Sequence, residues 1–168
     1  MLKKTALATC VITSMFALTA NAQTGQAQTF KSELGPVTAT PVVQGLDHPW
    51  ALVFLPDKKG MLVTERPGHL RWVSPEGKLS APLAGVPKVW AQGQGGLLDV
   101  VLSPDFANDR LVYLSFAKEG QNGNAGTAVG RGRLSDDMSS LSDFKVIFRQ
   151  EPKLSTGNHF GSRLVFDR

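Results

Sequence analysis

The stretch Leu97-Leu98-Asp99-Val100-Val101-Leu102-Ser103-Pro104-Asp105 carries the main signal for the architecture, because its pattern occurs twice. A short apolar run that ends in Pro-Asp is typical of a β-strand running into a tight turn. The same order stands earlier in the chain, where the apolar residues 52–55 lead into Pro56-Asp57. Asp57 and Asp105 are 48 positions apart. A repeat of this length indicates that one structural unit is used again.

Further strand-like runs follow each Pro-Asp turn. They are residues 61–65 and 69–73 in the first copy, and residues 111–116, 127–134 and 144–148 in the second. Most of these runs are separated by Gly, Pro, Asp or Ser, which favour turns. No window shows a convincing helical period of 3.6 residues, so the sequence predicts an all-β fold. A period near 50 residues with about four strands is typical of a β-propeller blade.

The number of repeats bears on how much of a propeller is present. A ring takes roughly 4–8 blades, whereas this sequence of 168 residues holds two copies and the start of a third at residues 163–167. We therefore expect the first two blades and the opening strand of a third, and hence the N-terminal portion of a longer protein. A compact β-sandwich built from the same strands is the structural alternative.

The composition excludes several classes of protein. Hydrophobic residues make up 42% of the chain and charged residues 19%, which excludes a disordered or fibrous chain. The formal net charge is +4, from 18 basic and 14 acidic residues. This small surplus gives no reason to expect nucleic acid or an anionic membrane as a partner.

The N-terminus has the pattern of an export signal. Lys3 and Lys4 precede a largely apolar run over residues 5–19, and Ala20-Asn21-Ala22 supplies a small-x-small cleavage pattern. We expect residues 1–22 to be a signal peptide, cleaved near Ala22-Gln23, and the protein to be periplasmic or secreted. The run is too short for a stable membrane anchor.

The mature chain divides at about residue 40. Residues 23–40 are polar and predict a flexible lead-in, and residues 41–168 form the N-terminal portion of the propeller domain. The only cysteine, Cys10, lies in the predicted signal peptide. The mature chain is therefore expected to have no disulfide and no thiolate nucleophile or ligand.

Two loops hold the candidate functional residues. Gly93-Gln94-Gly95-Gly96 precedes the first strand of the second blade, and Ser155-Thr156-Gly157-Asn158-His159-Phe160-Gly161 precedes the third copy. Equivalent loops of successive blades meet at one mouth of a propeller channel, so Gln94 and His159 are expected to face a common ligand. An imidazole there can act as a general base near neutral pH. The alternatives are a glycine-rich blade connection and a structural histidine.

The remaining polar and aromatic residues favour structural roles. His48 is expected to pack beside Trp50, and His69 is expected to face solvent within a strand. The three histidines lack the spacing of a local zinc motif, so no metal ligand is predicted. The carboxylates of the strands and turns, which include Glu65 and Asp99, are interpreted mostly as turn formers. Packing between blades is the favoured role of Trp50, Trp72 and Trp90 over stacking on a sugar.

Three segments carry a resemblance to a known family. They are residues 46–52, with the sequence LDHPWAL, residues 93–106, with GQGGLLDVVLSPDF, and residues 152–161, with PKLSTGNHFG. These segments closely resemble the soluble PQQ-dependent aldose sugar dehydrogenases of the glucose/sorbosone dehydrogenase family. The resemblance implies a six-bladed propeller that binds pyrroloquinoline quinone (PQQ) and calcium over the channel mouth. It also implies oxidation of an aldose sugar at C1 to the lactone.

The resemblance assigns roles to two residues. His159 matches the catalytic base that takes the proton of the C1 hydroxyl as hydride passes to the quinone, and Gln94 matches the glutamine that hydrogen-bonds the quinone. This division suits a cofactor enzyme, because PQQ supplies the electron sink and the protein supplies a base and orientation. Ser162 departs from the family pattern, which has a second glycine there.

The same resemblance places the remaining machinery elsewhere. The carboxylate that orients the histidine, the basic residues that hold the quinone and the calcium ligands are all expected downstream of residue 168. This chain alone is therefore expected to be inactive, and the activity to belong to the longer protein. The implied partners are an aldose sugar and a periplasmic electron acceptor. A non-catalytic sugar-binding or scaffold propeller is the alternative function.

Overall fold

The computed structural model describes residues 25–167, which fall into two compact units. The first ends at Pro41 and the second begins at Val42. The predicted signal peptide, residues 1–22, lies outside the described residues. Each unit is built from antiparallel strands joined by tight turns.

The first unit holds a β-hairpin within the segment expected to be a flexible lead-in. Strand β1 (Gln28–Ser32) pairs with β2 (Gly35–Ala39), with Gln28 opposite Ala39. The hydroxyls of Thr29 and Thr38 lie 2.9 Å apart across the two strands. Such cross-strand pairs stabilise a hairpin, but every residue of the two strands except Gly35 is exposed, so no alternation of buried apolar residues marks them. Reading the polar segment in order therefore gives little sign of them.

The second unit begins with a three-stranded meander, the first blade. Its strands are β3 (Pro49–Phe54), β4 (Met61–Glu65) and β5 (His69–Val73), in that spatial order. A 3₁₀ turn over Pro56–Lys58 joins the first two strands, as the Pro-Asp signal indicates. Strands β4 and β5 have the bounds of the predicted runs 61–65 and 69–73, whereas β3 begins three residues before the predicted run 52–55 and ends one residue before its end.

The second blade is a four-stranded meander. Its strands are β6 (Leu97–Leu102), β7 (Leu111–Glu119), β8 (Ala125–Leu134) and β9 (Leu141–Arg149), in sequential order. One helical turn, α1 (Phe106–Asp109), follows the Ser-Pro-Asp signal and buries Phe106. Among the described residues, no helix has the length and apolar character needed to cross a bilayer.

The two blades share a core. Buried residues of both sheets form one hydrophobic cluster, which includes Leu62, Leu70, Leu97, Leu114 and Phe116. Strands β3 and β4 both contact β6. Between them, the hydroxyl of Thr64 donates a hydrogen bond of 2.6 Å to the carbonyl of Leu98, and both residues are buried. A satisfied polar contact therefore fixes how the blades meet.

The opening strand of the third copy, expected at residues 163–167, is not paired into a sheet within residues 25–167. A strand needs a neighbouring ladder to satisfy its backbone groups, and none of the nine described strands forms such a ladder with this segment. Side chains of the second blade hold it instead, as described below.

Candidate functional site

The glycines of the first predicted loop allow another segment to approach its backbone closely. Gly93 has φ +55°, and a β-carbon there would lie 2.4 Å from the carbonyl oxygen of Gly157. Gly96 has φ +149°, and a β-carbon there would lie 2.2 Å from the carbonyl oxygen of Arg66. Both the positive φ and these short distances exclude a side chain. The loop is therefore confined between Arg66 on one side and the His159 loop on the other.

Two hydrogen bonds join Gln94 to the His159 loop. The backbone N–H of Gln94 donates to the carbonyl of Gly157 at 2.8 Å. The backbone N–H of His159 donates to the side-chain Oε1 of Gln94 at 2.9 Å. The structure therefore brings together the two residues that the sequence singled out, although they are 65 positions apart. We call this pair, with the residues between Gly157 and His159, the Gln94–His159 contact.

The reactive atoms of the two side chains stay available. Both residues are exposed. Within residues 25–167, neither ring nitrogen of His159 has a hydrogen-bond partner, and the Nε2 amide group of Gln94 has none either. The imidazole can therefore accept a proton from a ligand, and the amide can donate a hydrogen bond to a ligand oxygen.

Aromatic packing and two hydrogen bonds attach the His159 loop to the second blade. The rings of Trp90 and Phe160 have centroids 5.7 Å apart and are tilted by 51°. The backbone N–H of Trp90 donates to the carbonyl of Ala117 in β7 at 2.8 Å. The hydroxyl of Thr127 in β8 accepts from the N–H of Gly161 at 3.0 Å. The His159 loop is thus attached to both central strands of the second blade.

Asp99 fixes the segment that follows the His159 loop. It is 2% exposed and lies within β6, and its Oδ2 accepts a hydrogen bond of 2.7 Å from the backbone N–H of Leu164. Its own N–H donates to the hydroxyl of Ser115, which donates to the carbonyl of Ser162. Its place in mid-strand agrees with the predicted strand of residues 97–102, and its carboxylate forms no turn but binds a neighbouring segment. The sequence signal for this role is a carboxylate inside an otherwise apolar run.

The hydroxyl of Ser162 has a use that a glycine would not provide. Its Oγ accepts a hydrogen bond of 3.1 Å from the indole Nε1 of Trp50 in the first blade. This bond ties the first blade to the segment that follows His159. Trp50 is 47% exposed, so it is only partly used in packing between the blades.

Glu65 organises the other histidine-containing region. It is fully buried at the end of β4, and its carbonyl accepts the N–H of Gly68 at 2.9 Å in the turn that leads to β5. Its carboxylate accepts hydrogen bonds from the backbone N–H of Asp47 at 2.8 Å and from Arg71 at 3.3 Å, and it contacts Nδ1 of His69 at 3.2 Å. His69 is partly exposed, as expected of a strand residue facing solvent, but its ring also has this structural partner.

Metal ligation has no support among the residues that the structure describes. Residues 25–167 contain no cluster of three or more His, Cys, Asp or Glu side chains that could hold an ion. Nδ1 of His48 contacts the carboxylate of its neighbour Asp47, and His69 contacts Glu65. Each of these histidines therefore uses one ring nitrogen, Nδ1, in a contact, whereas neither ring nitrogen of His159 has a partner among residues 25–167.

Comparison with known proteins identifies the group. The family model for glucose/sorbosone dehydrogenase matches residues 46–168. The aldose sugar dehydrogenase YliI of Escherichia coli (strain K12) is 68% identical over 123 residues, which are 73% of this chain and 33% of that protein.

Solved structures give the same result. The soluble aldose sugar dehydrogenase of Escherichia coli in its apo-form has 67% identity and a TM-score of 0.70, over 72% of this chain and 35% of that one. The PQQ-bound aldose sugar dehydrogenase of Streptomyces coelicolor has 26% identity and a TM-score of 0.59, over 76% of this chain and 35% of that one.

These similarities confirm the predicted fold class. The two sheets are successive blades of a β-propeller, and this chain covers only part of that fold. The chain spans about a third of the length of these relatives. The match extends over most of the second unit and includes the loops of Gln94 and His159. By its sequence and its structure, the chain belongs to the glucose/sorbosone dehydrogenase family.

Proposed function

We propose that the whole protein carrying this chain is an exported quinoprotein that oxidises aldose sugars at C1 to lactones. The observation that carries the proposal is the Gln94–His159 contact, which holds an open imidazole and an open amide donor side by side. A hydroxyl oxidation that releases a proton needs a base of this kind. A relative that is 68% identical over 123 residues is named an aldose sugar dehydrogenase, which supports the same reaction class.

PQQ is the proposed cofactor. A quinone presents carbonyl oxygens, which accept hydrogen bonds, and the free Nε2 group of Gln94 is a matching donor. The described residues therefore fit the quinone end of this cofactor. A structural neighbour with its PQQ bound supports the choice. PQQ would supply the electron sink for the hydride of C1.

The residues of this chain would bind and orient the quinone and the sugar, and would accept a proton. A ring nitrogen of His159 would accept the proton of the C1 hydroxyl. Gln94 would orient the quinone oxygens through Nε2, while its Oε1 fixes the backbone of His159. One side chain therefore couples the position of the base to the position of the hydride acceptor.

Other parts of the proposal concern groups outside residues 25–167. Calcium would bind through residues downstream of 168, as the resemblance to the family implies. An electron acceptor of the periplasm would reoxidise the reduced cofactor, and we expect this chain by itself to be inactive. Export is tested by sequencing the N-terminus of the mature protein, which is expected to begin at Gln23. A mature protein that retains residues 1–22 would contradict export by cleavage.

The activity is tested on the whole protein from its native host. PQQ with calcium is expected to produce reduction of an artificial dye that depends on an aldose, with the lactone as product. His159→Asn is the variant to use, because His159 has φ +63° and asparagine tolerates this region better than alanine. It is expected to lower turnover by about 100-fold or more and to leave PQQ binding largely intact.

A matched control separates chemistry from folding. His69→Asn removes an imidazole that contacts Glu65 and lies outside the proposed site, and it is expected to keep normal turnover. Normal turnover in His159→Asn would overturn the assignment of the base. If PQQ and calcium produce no dye reduction in the unaltered protein, the non-catalytic sugar-binding or scaffold propeller becomes the better proposal.

A further inference from the structure

We propose that Arg66 is a positioning residue that sets the Gln94 side chain for its ligand, an inference that rests on the function proposed above. Arg66 follows directly after β4 and belongs to the first blade, whereas Gln94 precedes the second. Nothing in the spacing of the sequence connects them. The structure places the guanidinium of Arg66 against the loop that carries Gln94.

The guanidinium contacts both neighbours of Gln94. Its Nη1 donates to the carbonyl of Gly93 at 3.2 Å and to the carbonyl of Gly95 at 3.3 Å. The carbonyl of Arg66 accepts a further hydrogen bond of 3.0 Å from the N–H of Leu97. One residue therefore contacts the loop before, after and beyond Gln94, and it leaves the Gln94 side chain itself untouched.

The backbone of Arg66 is itself fixed by the first blade. Its N–H donates to the carbonyl of His48 at 3.0 Å, and the preceding residue, Glu65, is fully buried. Gly96 lies so close that a β-carbon there would be 2.6 Å from Cγ of Arg66. The Gln94 loop is thus held against the end of the central strand of the first blade, independently of its bonds to Gly157 and His159.

The charge of Arg66 is directed at the loop alone. Among residues 25–167, no carboxylate forms an ion pair with it, whereas Arg71 and Arg110 pair with Glu65 and Asp136. Hydrogen bonds from a charged donor are about twice as strong as neutral ones. The two loop carbonyls are therefore the groups on which this guanidinium acts.

Because the two hydrogen bonds of Arg66 to the loop are partly exposed, the loss of Arg66 is expected to affect the position of Gln94 more than the stability of the fold. The bond to Gly93 lies at the surface and the bond to Gly95 is only partly buried, so water can replace the guanidinium after its removal. Unfolding is then little affected. The Gln94 side chain is then held only from the His159 loop and no longer by the guanidinium of the first blade, and a displacement of about 1 Å in a reacting group can lower a rate about 100-fold.

The test uses variants of the whole protein. Arg66→Met keeps the length of the side chain and removes the donors, and Arg66→Lys keeps the charge without the fork. For Arg66→Met we expect kcat about 10-fold lower or more, weaker PQQ binding by about the same factor and a sugar KM changed less than about two-fold. Arg66→Lys is expected to lie between Arg66→Met and the unaltered protein, because its ammonium keeps a charged donor but lacks the fixed planar geometry from which Nη1 reaches both carbonyls.

Arg110 offers a matched control. It also donates to two backbone carbonyls, those of Leu134 at 2.9 Å and Ser135 at 2.7 Å. It stands just before the first residue of β7, whereas the Gln94 loop lies near the other end of that strand. Arg110→Met is expected to lower the thermal midpoint and to leave kcat, sugar KM and PQQ affinity unchanged. Equal catalytic losses in both variants would show general damage and overturn the inference.

A double-mutant cycle tests whether Arg66 acts through Gln94. In a background of Gln94→Ala, Arg66→Met is expected to add less than about a two-fold further loss, because residues that act as one unit are not additive. A full and independent loss in the double variant would overturn the positioning role.

One readout needs no activity. Hydrogen–deuterium exchange of the protein without PQQ is expected to become faster across residues 93–97 and 157–159 in Arg66→Met, with no change in residues 111–116. Unchanged exchange at 93–97 would overturn the inference even in an active enzyme. Faster exchange in a protein that oxidises no sugar would support the role of Arg66 in the loop and contradict the proposed function alone.

Discussion

The backbone N–H of His159 donates a hydrogen bond to Oε1 of Gln94 at 2.9 Å, across 65 positions of sequence. The bond uses the main chain of one residue and the side chain of the other. The imidazole and the Nε2 group of Gln94 therefore remain free for a ligand. Loop geometry and ligand chemistry depend on different atoms, so separate substitutions can test them.

Gln94→Glu separates the two functions of this side chain. A carboxylate can still accept the hydrogen bond of His159, but it cannot donate one to a quinone oxygen. We expect PQQ affinity to fall by about 10-fold or more, as for loss of a good hydrogen bond with added repulsion, and the thermal midpoint to change by less than about 2 °C. Titration of the whole protein with PQQ measures the first quantity, and calorimetry measures the second.

Gln92→Glu is the matched control, because Gln92 is exposed in the same loop and uses its backbone carbonyl, which binds Gly95. It adds the same charge nearby. An equal loss of PQQ affinity in both variants would mean that charge, and not the donor of Gln94, governs binding.

Asp99→Ala is expected to destabilise the second blade. The change leaves the backbone N–H of Leu164 without its acceptor at a partly buried position, and the loss of a fully buried acceptor costs about 1–3 kcal/mol, which sets the upper limit here. Asp99→Asn keeps an acceptor and is expected to cost less. Denaturation by urea measures the free energy of unfolding.

Asp105→Ala serves as a comparison at the exposed end of the same run. Its cost is expected to be about 0.5 kcal/mol or less, as for most surface substitutions. If Asp99→Ala were no more costly than this, the carboxylate would not be holding the segment after His159.

Thr64→Val tests the polar contact between the blades. The change keeps the shape of the side chain but removes its hydrogen bonds to the carbonyl of Leu98 and the N–H of Ala51. Since Thr64 is fully buried, we expect a loss of about 1–3 kcal/mol in the free energy of unfolding. Thr38→Val, on the exposed hairpin, is expected to change it little. Equal effects in urea titrations would contradict a special role for Thr64.

Asp137 gives a prediction for pH. The hydroxyl of Ser135, 2.6 Å away, lowers the pKa of this carboxyl first, and Ser139 lowers it further through its hydroxyl and N–H. Because the folded-state pKa lies below the unfolded one, the stabilisation is present above the unfolded pKa. It is lost as pH falls through the folded pKa.

Ser135→Ala is therefore expected to raise the pKa of Asp137 toward its ordinary value, as measured by NMR titration of the carboxyl carbon. Ser142→Ala, in the neighbouring strand β9, is expected to leave it unchanged. A pKa unaffected by Ser135→Ala would mean that Ser139 alone sets it.

Local patterns predict most of this fold because strands and turns depend on neighbouring residues. The runs before Pro56 and Pro104 both become strands, and the repeat predicts two blades. The pairing of Gln94 with His159 follows from the same repeat, because equivalent loops of adjacent blades meet. Two other features do not follow from the repeat: the hairpin of residues 28–39 and the partners of Glu65. Their contacts link residues whose spacing has no periodic signature.

Arg66 and Asp99 are two more residues whose contacts cannot be predicted from the sequence. Each binds backbone atoms of a distant segment, and a backbone carbonyl or N–H is common to every sequence. No residue type at the far end reveals the contact. Residues that hold a loop by its main chain are therefore the ones that sequence reasoning misses.

The left-handed backbone at His159 restricts how this position can change. With φ at +63°, it accepts glycine, asparagine, aspartate and histidine at low cost and disfavours β-branched residues. The hydrogen bond to Gln94 survives any of these, because it uses the main chain. A propeller of this kind could lose the proposed base in a single substitution and still fold, which would leave an open route from the proposed enzyme to a binding protein.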